Sequence, residues 1–196
     1  MRSITDPPYD HEGLLQVLTE AKRIGTIGTA SCADVIAHSA WFADALPADV
    51  GRVIDLGSGA GVPGLIVAIL RPKLHVTLVD RRAKCADALH RAVSVLSLGD
   101  RVSVCCDDAE RLNRLPNWHR SFDAAMSRGF GPPLSTLAVS VLFVRLGGVV
   151  VVSEPPADVP DRWHGTNLAG MGLSNPQRIG SVGVFHVEQD ASTPET

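Results

Sequence analysis

Val53-Ile54-Asp55-Leu56-Gly57-Ser58-Gly59-Ala60-Gly61-Val62-Pro63-Gly64 is the stretch on which the reading of the whole chain turns. Three apolar residues enclose an acid, and four glycines then lead into a second apolar segment, residues 65–70. Glycine accepts positive φ and leaves no Cβ between backbone and ligand, so the composition predicts a tight strand-to-helix turn that lines a pocket.

Outward from this turn, short β-rich runs alternate with helical ones. Strands are predicted at 52–56, 75–79, 101–105, 122–126 and 148–152, and helices at 63–70, 82–98 and 133–144. That alternation specifies an α/β protein with a doubly wound, mostly parallel sheet. A Pro- and Gly-rich excursion, 155–176, precedes an alternating segment, 182–187, expected to be the last strand. Upstream, Leu14, Leu15, Leu18 and Ala21 recur at helical spacing, and Val35, Ser39, Phe42 and Leu46 mark a second helix that stops before Pro47. The expected organisation is an N-terminal arm and helical extension over residues 1–48, a Rossmann-like domain over 49–188 and a frayed tail over 189–196.

The chain has 196 residues, enough for one domain that buries roughly 70% of its unfolded surface. Its net charge of −3 argues against a general nucleic-acid coat, although Arg81, Arg82 and Lys84 leave room for a local basic patch. No apolar run approaches the roughly 20 residues that span a bilayer, and Met1-Arg2-Ser3-Ile4-Thr5-Asp6-Pro7 lacks a signal-peptide core, so a cytoplasmic protein is expected. Cys32, Cys85, Cys105 and Cys106 show no C-x-x-C spacing and are expected to be buried free thiols. His38, His75, His90, His119 and His164 show neither metal-ligand nor triad spacing, and no metal is expected. Asp6-Pro7-Pro8-Tyr9 spells the box with which amino-methyltransferases hold an exocyclic nitrogen, but too few residues precede it to form a strand, and it reads as coincidence.

In such sheets ligands lie beyond the carboxyl ends of the strands. The candidate site residues are therefore Asp55 with Gly57, Ser58, Gly59 and Gly61, then Asp80, then Asp108, Ala109 and Glu110, then Ser127 and Arg128. Asp80 stands where nucleotide-binding sheets place the acid that accepts ribose hydroxyls, about 20 residues past the glycines. Gly59-Ala60-Gly61-Val62-Pro63-Gly64 also fits the dinucleotide pattern G-x-G-x-x-G. Asp55 decides between the ligands: it would repel a pyrophosphate and attract a ligand carrying an ammonium and a sulfonium, which points to S-adenosylmethionine.

Several motifs together resemble the glucose-inhibited division protein B family, bacterial methyltransferases of a guanine N7 in small-subunit ribosomal RNA. They are Asp55 to Gly64 as quoted, Ala68-Ile69-Leu70-Arg71-Pro72, Leu78-Val79-Asp80 with Lys84, Ala109-Glu110, Phe122-Asp123 and Ser127-Arg128, so that the resemblance covers residues 50–153. It implies a class I S-adenosylmethionine methyltransferase fold with a seventh strand antiparallel to the rest, and ribosomal RNA or the small subunit as partner. The chain departs from the family at three points. The His-x-x-Asp-Ser motif is matched by Val35-Ile36-Ala37-His38-Ser39, Glu154-Pro155 replaces the usual Lys-Gly with a reversed charge near the site, and the helical preface is short. These departures leave open another RNA or a small molecule as acceptor, and a cofactor-binding subunit without catalysis of its own.

Guanine N7 carries an in-plane lone pair, so its methylation needs alignment rather than a general base. Asp55, Gly57, Gly59 and Gly61 are expected at the methionine end of the cofactor, Asp80 at the ribose and residues 108–110 at the adenine edge. Arg128 can hold the cofactor's carboxylate or a substrate phosphate. The excursion 155–176 leaves two roles for Trp163, stacking within a lid or packing on the domain.

Overall fold

The structure, a computed structural model, describes residues 11–188. The Asp6-Pro7-Pro8-Tyr9 box, the N-terminal arm of residues 1–10 and the expected frayed tail lie outside these residues. Seven strands form one sheet: β1 (Arg52–Leu56), β2 (His75–Val79), β3 (Val102–Cys105), β4 (Phe122–Ser127), β5 (Val144–Ser153), β6 (Gln177–Ile179) and β7 (Val182–His186). Their order is β3-β2-β1-β4-β5-β7-β6, with the first five parallel and β7 antiparallel to both its neighbours. The order reverses between β1 and β4, which opens a crevice beyond their carboxyl ends.

Period-two alternation sends the strand side chains to two faces. Val53, Val76, Leu78, Ala124, Met126, Val149 and Val151 form one core with helices α1 (Glu12–Arg23), α2 (Cys32–Ala45), α3 (Gly64–Leu70) and α4 (Ala83–Val95). Ile54, Leu56, Val79, Ala125, Val150 and Val152 form the other with Leu137 of α6 (Pro133–Ser140), Phe143, Trp163 and Phe185. Asp55 falls between two apolar neighbours on β1, at a position the alternation buries.

Two residues from the family motifs hold elements together. The Arg71 guanidinium donates to the carbonyls of Ala43, Leu46 and Pro47, each at 2.9 Å, and so caps the end of α2. Asp123 accepts from the Gly51 and Arg52 amides at 2.9 and 2.7 Å and fixes the start of β1. Ser31 begins α2 with a reciprocal capping box to Asp34.

The structure differs from the sequence reading in several elements. The helix predicted to reach residue 144 ends at Ser140 and tightens into a 3₁₀ turn, and β5 starts at Val144. A register shift between Phe122 and Ala124 and the positive φ of Gly147 accommodate the early start. The helix predicted to reach residue 98 stops at Val95, before a turn in which Ser97 has φ 54°. Helix α5 (Ala109–Leu112) and β6 have only four and three residues, too short to show a period. Of the four thiols only Cys85 is buried, and Cys106 is exposed.

Trp163 is 5% exposed, stands edge-on to Phe185 with ring centroids 5.0 Å apart, and donates its indole N–H to Glu154 at 2.8 Å. It belongs to the core rather than to a stacking surface over the site. Glu154 is also ion-paired with Arg162 at 3.1 Å, so its charge is spent on anchoring the excursion, against the expectation of a reversed charge near the site.

Candidate functional site

Asp55 is 1% exposed, and only one of its carboxylate oxygens is used: Oδ2 accepts from the Gly64 amide at 3.0 Å, while Oδ1 has no partner. Burial pushes its pKa up to about 7, helped by the Asp80 charge and opposed by the Gly64 hydrogen bond, the nearby Ser58 hydroxyl and the charge of Arg128. Gly64 is required for this approach, since a Cβ there would lie 2.3 Å from Leu78 Cδ2 and 2.6 Å from Asp55 Oδ2. Gly57 has φ +70°, and a Cβ on it would meet the Phe130 ring at 2.7 Å.

Arg128 follows β4 and is half-buried; burial pulls its pKa down, and it answers Asp55 through charge rather than through a hydrogen bond. On the side of α2, His38 Nδ1 lies 3.0 Å from Ser181 Oγ, while Nε2 is buried without a partner. Burial lowers the His38 pKa, and the Arg128 charge lowers it further. Two buried polar atoms with capacity to spare, Asp55 Oδ1 and His38 Nε2, thus both feel a guanidinium that donates no hydrogen bond among the described residues.

A cavity of about 410 Å³ opens beside this group. Among its lining residues are Gly57, Asp80, Asp108, Ala109 and Glu110, all anticipated from the sequence, together with Arg82 and Phe130, which were not assigned to the site. Asp80 is 3% exposed; Gly59 donates to its Oδ2 at 2.9 Å, and Arg82 donates to both oxygens. Those hydrogen bonds and the Arg82 charge hold its carboxyl below the usual range although burial acts the other way. Asp108 caps α5 by accepting from the Glu110 amide at 2.8 Å.

Ser58 is buried; its hydroxyl donates to the Asp55 carbonyl at 2.8 Å and accepts from the Val79 amide at 3.1 Å. It therefore joins β1 to β2. Ser127 is 3% exposed at the end of β4, and Gly61 is buried within the turn. The cavity thus gathers the residues expected at ribose and adenine, while Asp55 and Arg128 form a separate polar group beside it. Among the described residues, no group of three or more His, Cys, Asp or Glu is placed to hold a metal ion.

Comparison with known proteins gives this arrangement a family. The family described as rRNA small subunit methyltransferase G, GidB, matches residues 16–154. A ribosomal RNA small subunit methyltransferase G of Moorella thermoacetica is 41% identical over 106 residues, 54% of this chain and 43% of that protein. Its counterpart in Dictyoglomus thermophilum is 30% identical over 123 residues, 63% of this chain and 51% of that protein. The matched segments thus span about half the length of these relatives. Among solved structures, the S-adenosylmethionine-dependent methyltransferase SibL in its apo form aligns with a TM-score of 0.57 at 17% identity, covering 92% of this chain and 71% of that one, a likeness of fold. The sheet order, the glycine turn and the match over residues 16–154 show that this chain belongs to the rRNA small subunit methyltransferase G family and has the class I methyltransferase fold.

Proposed function

We propose that the chain is an S-adenosylmethionine-dependent methyltransferase whose acceptor is guanine N7 in small-subunit ribosomal RNA. The observation that carries this reading is the unpartnered Oδ1 of Asp55 in the field of the Arg128 guanidinium, which donates no hydrogen bond among the described residues. A buried acceptor left open implies an absent donor. An amino-acid zwitterion supplies an ammonium for Asp55 and a carboxylate for the planar fork of Arg128. Asp80 and the cavity walls then fit the adenosine part, with Asp80 as ribose acceptor and residues 108–110 at the base.

Bound there, S-adenosylmethionine supplies an electrophilic methyl group on a sulfonium. Asp55 and Arg128 fix the amino-acid end, and Phe130, seated on Gly57, closes one wall of the cavity. Guanine N7 brings its own lone pair and no proton, so the residues need only hold the reacting atoms about 3–3.5 Å apart and in line. Arg81, exposed at the cavity wall, and Lys84, exposed in the first turn of α4, offer cations to RNA phosphates. A ribosomal acceptor implies work in the cytoplasm; among the described residues no helix is long and apolar enough to cross a membrane.

The test is transfer of labelled methyl from S-adenosylmethionine to small ribosomal subunits from cells lacking the gene. Label on a guanine N7 supports the reading. Calorimetric binding of S-adenosylhomocysteine without any transfer to RNA would refute the RNA acceptor while retaining the cofactor.

A further inference from the structure

Asp80 is the residue assigned to the cofactor's ribose, yet its carboxylate is already fully engaged. Oδ1 accepts from the Arg82 amide at 2.9 Å and from Arg82 Nε at 3.0 Å; Oδ2 accepts from the Gly59 amide and from Arg82 Nη2, both at 2.9 Å. A carboxylate offers about four lone-pair sites, and all are occupied. The two backbone donors belong to the turn and stay in place. The two side-chain donors come from a guanidinium that is 62% exposed, while its carboxylate partner is 3% exposed. Arg82 Nη2 also lies 3.7 Å from where a Cβ on Gly59 would stand, so the fork rests over the glycine turn at the wall of the cavity.

We infer that Arg82 is an affinity-determining residue of the cofactor site, competing with the ribose diol for Asp80. The fork presents two N–H donors to the two oxygens a 2′,3′-diol would address, so ribose and guanidinium exclude each other. Entry of the ribose exchanges one pair of hydrogen bonds for another, and the displaced guanidinium returns to solvent. The inference rests on Asp80 as the ribose acceptor, as proposed above.

The experiment is calorimetric titration of the full chain with S-adenosylhomocysteine, with Arg82→Ala, Arg82→Lys and Asp80→Asn as variants. Arg82→Ala keeps the residue-82 and Gly59 amides on Asp80, so the carboxylate remains positioned and only the competitor is lost. Its affinity is expected to be about 2- to 5-fold tighter than wild type, the scale of a well-aligned but mostly exposed ion pair. Arg82→Lys, with charge but no fork, should fall between the two. Adenine alone, which brings no hydroxyls, should bind wild type and Arg82→Ala equally. Unchanged or weaker S-adenosylhomocysteine binding by Arg82→Ala, with wild-type binding still lost in Asp80→Asn, overturns the competition and leaves the ribose assignment intact. No binding by wild type or by Arg82→Ala overturns the cofactor reading itself, and the inference with it.

Discussion

Lowering the pH should weaken cofactor binding through Asp55, and by an amount the structure sets. In the ligand-free site, burial holds the Asp55 pKa at about 7. A ligand ammonium placed on Oδ1 favours the carboxylate, so the bound form titrates well below the free one and binding releases a proton. At about pH 7 roughly half of the free sites are ionised, and at about pH 5.5 only about 3% are, so affinity should fall about 16-fold, or about 1.6 kcal/mol. The charged groups facing Asp55 are Asp80 on the β2 side and Arg128 on the β4 side. Neither moves the profile in this window, because Asp80 titrates below the usual carboxylate range and Arg128 stays charged. His38, which faces Arg128, titrates below its ordinary value. S-adenosylhomocysteine titrations in buffers of different ionisation enthalpy would measure both the affinity and the protons released. Asp55→Asn should bind weakly with a flat profile. A wild-type affinity that is constant across this range, or a slope that survives in Asp55→Asn, would refute the assignment of the ammonium to Asp55.

The same carboxyl governs ligand-free stability with the opposite benefit. Its folded pKa lies above the unfolded value, so stability is full below about pH 4 and falls as pH rises to about 7; Asp55→Asn should therefore gain up to about 4 kcal/mol at about pH 8 and little at about pH 4, read by urea unfolding. Trp163→Ala removes a buried indole and its bond to Glu154, and should cost about 3–5 kcal/mol in the same assay without altering S-adenosylhomocysteine affinity; a change in affinity alone would restore the lid. Arg71→Ala leaves three carbonyls at the end of α2 without their donor and should cost about 2–3 kcal/mol. Gly64→Ala forces a methyl into Leu78 and Asp55, and thermal unfolding should show a marked loss of stability, which an unchanged melting curve would contradict.

The parts of this molecule that can be read from its sequence are those in which one residue type has one physical use. The glycine turn is legible because Gly57 needs positive φ and Gly64 needs the absence of a Cβ, and the sheet is legible because five β-rich runs are spaced by helices. Asp55 is legible as an acid in an apolar run, whereas its buried, half-satisfied state shows only in the fold. Arg and Glu have many uses, and with them the sequence stops short. Glu154 looks like a reversed charge at the site until Arg162 and Trp163 are found holding it, and Arg82 looks like part of a basic patch until its fork is found on Asp80. All three partners come within ten residues in sequence, but no spacing predicts the contact, because it depends on how the chain leaves the end of a strand. His38 is a third case. It stands where the family motif has an aspartate, and the fold places its ring between Ser181 and the field of Arg128, where burial and then the Arg128 charge lower its pKa. The negative charge that acts on Arg128 is that of Asp55, a carboxyl whose pKa burial raises to about 7, and this is why that one group should dominate how the site answers to pH.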